Sequence, residues 1–232
     1  MTSAPPTSAR AQLGALATDP TFLRDWGLSR GGPDATAARP AAVLVLFGVL
    51  DDLDADHAAQ ALAVAQDLDV LLLARAATLR SHAGQVAFPG GRVEDGEDVV
   101  AAALREATEE TGLDAAGVDV LGTCRELPMP VSDHRVTPVL GWWARPTPVG
   151  VVDHAESAHV FRAPVADLLD PARRVTTVLR RGGQVWRGPG FQVRDGDVEH
   201  LVWGFTAGIL DAAFDRLGWT EAWDRGRELE LS

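Results

Sequence analysis

The sequence contains no lysine, no tyrosine and no asparagine, and Cys124 is its only cysteine. All of its positive charge is therefore arginine, and acidic residues outnumber basic ones enough to give a net charge of -12. A single cysteine excludes an intrachain disulfide and a cysteine metal site. The acidic balance argues against a nucleic-acid partner, because binding to a phosphate backbone depends on clustered lysine and arginine.

Long hydrophobic runs are also absent. The longest, Ala41 to Leu50, is too short for a helix that spans a bilayer. The first ten residues are rich in Ser, Pro and Ala, and they lack the basic start and apolar centre of a secretory signal. These features predict a cytoplasmic protein with no membrane partner. At 232 residues the chain is long enough for one sizeable domain.

Acidic side chains are concentrated on one predicted helix. Glu106, Glu109 and Glu110 fall within about 100° of arc, because successive helical residues are about 100° apart. An apolar stripe beside them anchors the helix on a core, and Gly112 is the expected helix end. Three clustered carboxylates favour a cation, and oxygen ligands favour Mg²⁺ or Mn²⁺ over zinc. The stripe consists of Val100, Ala103, Leu104 and Ala107.

A loop with paired glycines precedes this helix. It consists of Phe88, Pro89, Gly90 and Gly91, and we refer to it as the glycine loop. Glycine permits backbone dihedrals and close approaches that a side chain would prevent. A solvated, glutamate-rich surface helix is the alternative interpretation, and the combination of the helix with the glycine loop and Glu97 argues against it.

From Gly91 to Leu113 the chain reads G-x5-E-x7-R-E-(apolar)-x-E-E-x-G-(apolar). This spacing resembles the Nudix box at every specified position, so the chain is similar to the Nudix hydrolases. The order of predicted strands and helices indicates an α+β protein. The resemblance implies more specifically the Nudix fold, an α/β/α sandwich around a mixed β-sheet. It also implies a metal-dependent pyrophosphatase.

The resemblance and the charges assign roles within the box. Glu106, Glu109 and Glu110 are expected to bind Mg²⁺ or Mn²⁺, which would neutralise phosphate charge and activate water. A backbone carbonyl of Gly91 or Gly90 is expected to complete the coordination. Glu97 lies before the helix, where it can orient Arg105 or a metal-bound water.

The general base is left open by the sequence. Glu106 is a candidate by resemblance, although a carboxylate bound tightly to metal is a poor proton acceptor. Glu156, in a later loop, is the alternative. His134 is a third candidate, but isolated histidines are more often structural or exposed.

A second pattern lies upstream of the box. The chain matches L-L-T-x-R-[SA]-x3-R-x3-G-x3-F-P-G-G from Leu71 to Gly91, except that Leu73 stands in place of the Thr. This pattern resembles the coenzyme A pyrophosphatase branch of the Nudix enzymes, as do segments at 156–164 and 202–207. It implies a substrate site formed by Arg75, Arg80 and Gly84 together with the glycine loop. Arginine offers a planar fork of donors for phosphate groups such as the 3′-phosphate of coenzyme A.

The predicted reaction converts coenzyme A or acyl-coenzyme A to 3′,5′-ADP and 4′-phosphopantetheine or its acyl form. One alternative is a Nudix pyrophosphohydrolase of another nucleoside diphosphate derivative, such as an ADP-sugar, a dinucleoside polyphosphate or an oxidised nucleotide. The other is a Nudix-fold binding or regulatory module without turnover. The sequence leaves a monomer and a homodimer both open.

We predict three regions: 1–38 as a tail with a short helix, 39–220 as the Nudix hydrolase domain, and 221–232 as a C-terminal tail. Asp19 is the expected cap of that first helix, over 21–26. Residues 51–69 are predicted to be an insertion, as either a helix-containing segment or a loop. Predicted strands are 41–47, 70–75, 118–124, 135–143, 175–180, 184–186 and 200–203, and predicted later helices are 165–170 and 206–217.

Overall fold

The structure is a computed structural model, and it describes residues 8–24, 38–49, 55–76, 84–129, 133–155 and 157–231. Within these residues the helices are α1 (Ala9–Ala17), α2 (Val99–Thr111), α3 (Val165–Leu169) and α4 (Gly204–Leu217). The strands are β1 (Arg39–Val49), β2 (Leu68–Arg75), β3 (Val86–Ala87), β4 (Gly90–Arg92), β5 (Val118–Thr123), β6 (Leu127–Met129), β7 (His134–Trp143), β8 (Ser157–Pro164), β9 (Arg174–Arg181), β10 (Gln184–Asp195), β11 (Val198–Val202) and β12 (Glu228–Leu231).

The strands form two sheets. The larger has the order β3-β2-β1-β7-β5, and β4, β6 and β8 pair with β1, β7 and β2 respectively. It is mixed, because β1 and β7 are parallel whereas β1 and β2 are antiparallel. The smaller sheet has the order β11-β10-β9-β12. No helix in the described part of the chain is long and apolar enough to cross a membrane.

Helices cover both faces of the larger sheet. In β1, Leu44 and Leu46 belong to the same buried cluster as Ala103 of α2. Val45 and Phe47 point to the opposite face, because side chains alternate along a strand, and they belong to the other cluster. That cluster includes Leu13 of α1, Leu169 of α3 and Leu210 of α4. The arrangement confirms the predicted α/β/α sandwich around a mixed sheet.

Helix α2 has clear start and stop signals. The Asp98 side chain caps it by accepting hydrogen bonds from the amides of Val100 (2.9 Å) and Ala101 (3.0 Å). Gly112 ends it in the left-handed conformation, with φ of 72°. Ala103 and Ala107 of the predicted stripe are fully buried, whereas Val100 and Leu104 are partly buried. These small side chains let the helix approach the sheet closely.

The predicted N-terminal helix was misplaced. The helix is α1, capped by the Ser8 hydroxyl, which accepts from the Ala11 amide at 3.4 Å. Asp19 instead accepts from the Thr21 amide (2.8 Å) and hydroxyl (2.6 Å). Such local bonds to the backbone stabilise a turn rather than a helix. Residues 25–26 of the prediction lie outside the described residues.

The predicted insertion is a loop where the structure describes it. Residues 55–67 contain no helix or strand, and their ends are joined by a 3.0 Å bond from the Ala55 amide to the Gln66 carbonyl. Its outer part is attached to the buried Glu221, which accepts from Gln60 through its amide (2.9 Å) and side chain (3.0 Å). The insertion ends before the predicted boundary, because Leu68 and Asp69 already belong to β2.

The C-terminal segment also differs from the prediction of a tail at 221–232. Glu228–Leu231 forms β12 and pairs in parallel with β9, so it completes the smaller sheet. The preceding residue, Arg227, is also bonded to β9, since its carbonyl accepts from the Thr176 amide at 2.8 Å. The alternation Glu-Leu-Glu-Leu has the period of a strand and was the available sequence signal.

Candidate active site

The sheet positions the glycine loop. Its last two residues begin β4, where Gly90 pairs with Val43 and Gly91 pairs with Ala42. The Pro89 carbonyl accepts from the Leu44 amide at 2.8 Å. A Cβ on Gly90 would lie 2.3 Å from the Ala42 carbonyl oxygen, and its φ is +156°. Only glycine fits this close approach of two backbones.

The glycine loop contacts the acidic helix directly. The Gly90 amide donates to Glu110 Oε2 at 2.8 Å, and Glu110 is buried, at 8% exposure. A Cβ on Gly91 would lie 2.5 Å from the Glu106 carboxyl carbon. The loop backbone and two of the three predicted metal ligands therefore lie in contact.

Arg105 organises the next contacts. Its Nε donates to Glu97 Oε1 (3.0 Å) and its Nη2 donates to Glu97 Oε2 (3.1 Å), an arrangement that joins both oxygens. Nη1 donates to Glu106 (3.1 Å) and Glu109 (3.0 Å), and Nη2 also donates to the Arg92 carbonyl (3.0 Å). The guanidinium thus links the helix, the strand that follows the loop, and Glu97.

This network changes the acidity of its members. The hydrogen bond from Arg105 lowers the pKa of Glu97, and the Glu94 amide, which donates to Glu97 Oε2 at 3.1 Å, lowers it further. The same pairing with Glu97, assisted by Glu106, raises the pKa of Arg105 above its ordinary value. Glu97 is therefore an ionised anchor for Arg105, the first of its two predicted roles.

The three carboxylates of α2 have different environments. Glu110 is buried, the Glu106 side chain is 20% exposed, and the Glu109 side chain is 58% exposed. Within the described ranges, no group of three or more His, Cys, Asp or Glu side chains is gathered closely enough to hold a metal ion. Arg105 bonds Glu106 and Glu109, whereas the Gly90 amide bonds Glu110.

The donors nevertheless fit a hard divalent cation in chemical type. Glu106, Glu109 and Glu110 offer carboxylate oxygens, the ligands that Mg²⁺ and Mn²⁺ prefer. The Glu106 carboxylate lies directly against Gly91, where a Cβ would collide with it, so both can contribute oxygen atoms to one place. The residues present are thus compatible with the cation that the Nudix resemblance implies.

Arg75 ends β2 beside the predicted substrate loop. Its amide donates to the Gln85 carbonyl (3.0 Å), and its carbonyl accepts from the Gly84 amide (3.1 Å). Gly84 has φ of +68°, a conformation that favours glycine. The Nε of Arg75 is buried and has no hydrogen-bond partner among the residues that the structure describes. Arg80 lies in the connection 76–83 by sequence and outside the described residues.

The apolar residues of the glycine loop point into the protein. Phe88 is 3% exposed and belongs to the core cluster on the α1 and α4 face, and Pro89 is also buried. Their side chains therefore anchor the loop, so that its contact with a ligand is left to the backbone and the glycines.

The candidate general bases are less well defined in the structure than the carboxylates of α2. Glu156 lies outside the described residues, and the residue after it, Ser157, pairs with Arg75. His134 begins β7 and pairs with Met129 and Arg39. One participant was not predicted from the sequence: the Arg92 carbonyl, which accepts a hydrogen bond from Arg105. It is a main-chain group, so no residue type could signal it.

Comparisons with known proteins identify the family. The profile of the NUDIX domain matches residues 56–177, just over half of the chain. The uncharacterized Nudix hydrolase NudL of Cronobacter sakazakii is 42% identical over 145 residues, which cover 61% of this chain and 71% of the relative. NudL of Escherichia coli O7:K1 is 40% identical over 145 residues, with the same coverage of 61% and 71%. A solved structure of a MutT/nudix family protein from Enterococcus faecalis is 18% identical, has a TM-score of 0.47, and covers 91% of this chain and 75% of its own. The chain belongs to the Nudix hydrolase family.

Proposed function

We propose that this Nudix hydrolase cleaves the pyrophosphate bond of coenzyme A or a coenzyme A thioester, releasing 3′,5′-ADP and 4′-phosphopantetheine or its acyl form. The proposal starts from the upstream pattern around Arg75, Arg80 and Gly84, which resembles the coenzyme A branch of the family. The observation that carries it is the buried Nε of Arg75, which has no hydrogen-bond partner in the described part of the chain.

The position of Arg75 supports a role in substrate binding. Leu71 lies in the cluster that also contains Ala103 of α2. Side chains alternate along a strand, so Arg75, four residues later in β2, is on that same face. The pairing irregularity beside Arg75 adds the extra residue to β8, not to β2. A buried N–H without an acceptor is costly, and a phosphate oxygen is a strong acceptor for arginine.

Each group has a defined task in the proposed reaction. Glu106, Glu109 and Glu110 would hold Mg²⁺ or Mn²⁺, which would neutralise phosphate charge and make a bound water more acidic. Gly90 and Gly91 let the loop backbone approach the pyrophosphate. Arg105, fixed by Glu97, holds the carboxylates of α2 in position. Arg75 and Arg80 bind phosphate, including the 3′-phosphate.

Proton removal from water is assigned to Glu156. Glu106 would be a weaker base when bound to metal, because the cation stabilises its ionised form. His134 sits in the β6–β7 pairing and is the least favoured of the three. Glu156→Gln, compared with Glu106→Gln, should remove the lower-pH limb of the rate profile, and the assignment passes to Glu106 if only the latter does.

A substrate panel tests the proposal. Coenzyme A, acetyl-coenzyme A, ADP-ribose, a dinucleoside tetraphosphate and an oxidised deoxynucleoside triphosphate would each be incubated with the enzyme and Mg²⁺ or Mn²⁺, with products identified by mass spectrometry. We expect the highest kcat/KM with a coenzyme A compound, and formation of 3′,5′-ADP. Preference for another compound would be consistent with the reaction of the Nudix family, but it would overturn the proposal that coenzyme A is the substrate. No turnover of any compound would favour a binding or regulatory module.

A further inference from the structure

The strand that leads into the glycine loop is very short. β3 contains only Val86 and Ala87, and the loop begins at the next residue. On one side β3 pairs with Ala74 and Leu73 of β2. Two backbone pairs give a strand little resistance to fraying, so any other contact to β3 bears directly on the position of the loop.

That other contact comes from α4. The Thr206 hydroxyl donates to the Val86 carbonyl at 3.1 Å, across 120 residues of sequence, and Thr206 is 5% exposed. The bond joins two elements, unlike the usual bond of a helical threonine to the carbonyl one turn earlier. Because it is buried, water cannot replace it freely.

The chain is built to bring Thr206 to this point. β11 ends at Val202, and after Trp203 alone α4 begins at Gly204, whose φ is +67°. Both β11 and α4 contact β3. The first turn of α4 is thereby packed against the strand.

We propose that Thr206 is a positioning residue for the glycine loop, acting through the Val86 carbonyl. This inference rests on the proposed function only in that the loop receives the substrate pyrophosphate. The segment from β3 into the glycine loop is then fixed at successive points: at Val86 by Thr206, at Pro89 by the Leu44 amide, and at Gly90 by Glu110. Of these three contacts, the one from Thr206 is the only one that α4 contributes in the described structure.

The test uses Thr206→Val, which keeps the shape of the side chain and removes the hydroxyl, with Thr206→Ser as the rescue. Thr177→Val is the matched control, because Thr177 is also buried and its hydroxyl donates to the Gly188 carbonyl at 3.0 Å in the smaller sheet. The two valine variants lose equivalent bonds, but only one of these bonds reaches the loop.

We expect Thr206→Val to lower kcat by about three- to tenfold with a smaller change in KM, since misplacing the loop weakens stabilisation of the transition state more than it weakens binding of the substrate. Thr206→Ser should restore most of the rate, and Thr177→Val should leave kcat unchanged. Kinetics would use the panel compound that the wild type hydrolyses best, so failure of the coenzyme A proposal does not affect this comparison.

Hydrogen exchange gives a readout that needs no substrate. In metal-free protein, amides from Gln85 to Gly91 should exchange faster in Thr206→Val than in wild type, whereas Thr177→Val should leave them unchanged. Faster exchange of this segment together with the kcat loss supports the proposal. Equal exchange and equal kcat in the two valine variants would overturn it, because Thr206 would then contribute only general stability.

Discussion

The amide of Gly90 donates a 2.8 Å hydrogen bond to the buried carboxylate of Glu110, so the glycine loop and the acidic helix are joined by a direct charge-assisted contact. Glu109, one residue earlier, is 58% exposed and contacts the guanidinium of Arg105 instead. Glu109 and Glu110, neighbours in one predicted ligand set, therefore make different structural contacts. Replacing each of them should separate chemistry from folding.

Glu109→Gln should reduce turnover by orders of magnitude and leave the free energy of unfolding nearly unchanged, because it removes a metal-binding charge from an exposed position. Glu110→Gln should reduce turnover similarly but also lower the unfolding free energy by about 1 kcal/mol, because a charge-assisted bond to Gly90 becomes a neutral one. Steady-state kinetics and urea unfolding of the metal-free proteins measure the two effects.

Glu230→Gln is the matched control for Glu109, since Glu230 is an exposed carboxylate that pairs with Arg180 at 3.0 Å in the smaller sheet. It should change neither quantity. Near-normal activity in both α2 variants would contradict the assignment of that helix to the metal site.

Gly91→Ala tests the space beside Glu106. The new Cβ would lie 2.5 Å from the carboxyl group, so either Glu106 or the loop must shift. A displacement of about 1 Å at a reacting centre can cost about a hundredfold in rate. We therefore expect a loss of that order in kcat/KM. Gly14→Ala is the control, because nothing lies within 4 Å of its added Cβ and it lies in α1, on the opposite face of the larger sheet from α2. Equal activity of both variants would mean that this space is not used.

The positions of α2 and of the glycine loop were largely predictable because their information is local in sequence. The Glu106, Glu109 and Glu110 spacing fixes one helix face, and Gly112 and the glycine loop mark the two ends of the motif. The hairpin between β9 and β10 was predictable for the same reason, as Gly182 and Gly183 both have positive φ there. Patterns of this kind depend on neighbours a few residues away.

What the sequence did not reveal depends on distant partners. The first helix was misplaced because Asp19 bonds to Thr21, and Arg216, far along the chain, also bonds to Asp19 at 2.8 Å. The insertion was undecided because its outer part is held by Glu221. Nor could the hydrogen-bond partners of the three α2 carboxylates be predicted, since they depend on which acceptors Arg105 and the Gly90 amide reach in the folded chain.

A buried ion pair on the face of the sheet that carries α2 should make stability depend on pH. Asp69 and Arg162 are 2.7 Å apart, and the side chain of Asp69 is only 2% exposed. Arg162 also lies over the ring of Trp143, at 4.7 Å. Burial raises the pKa of Asp69 to about 7, although the Arg162 charge opposes this.

The folded state therefore keeps a proton on Asp69 between about pH 4 and 7 that the unfolded chain has released. Its contribution to the unfolding free energy is largest below pH 4, falls as the pH rises, and is constant above 7. Urea unfolding across this window should show a decline in wild type relative to Asp69→Asn. Asp119→Asn, which removes an exposed ion pair with Arg10, controls for the lost charge. Parallel pH curves for wild type and Asp69→Asn would contradict the prediction.

The substrate proposal makes a quantitative prediction for Arg80 and, in parallel, for Arg75. If Arg80 binds the 3′-phosphate, removing that phosphate and removing the guanidinium delete the same interaction. A charge-assisted contact is worth roughly 1.5–3 kcal/mol, so either deletion alone should lower kcat/KM by about ten- to a hundredfold. Both together should cost little more than one. The measurement compares wild type and Arg80→Ala on coenzyme A and dephospho-coenzyme A as a double-mutant cycle.

The same cycle with Arg75→Ala shows whether the arginine with the buried Nε shares this contact or binds the pyrophosphate instead. In the second case its loss would be equal on both ligands. Arg180→Ala, at an exposed position in the smaller sheet, should leave every value unchanged. Independent, multiplying losses for both Arg75 and Arg80 would show that neither reads the 3′-phosphate. Equal cleavage of both ligands by wild type would remove the reason for a coenzyme A preference at this end of the molecule, because recognition would then have to come from the pantetheine arm.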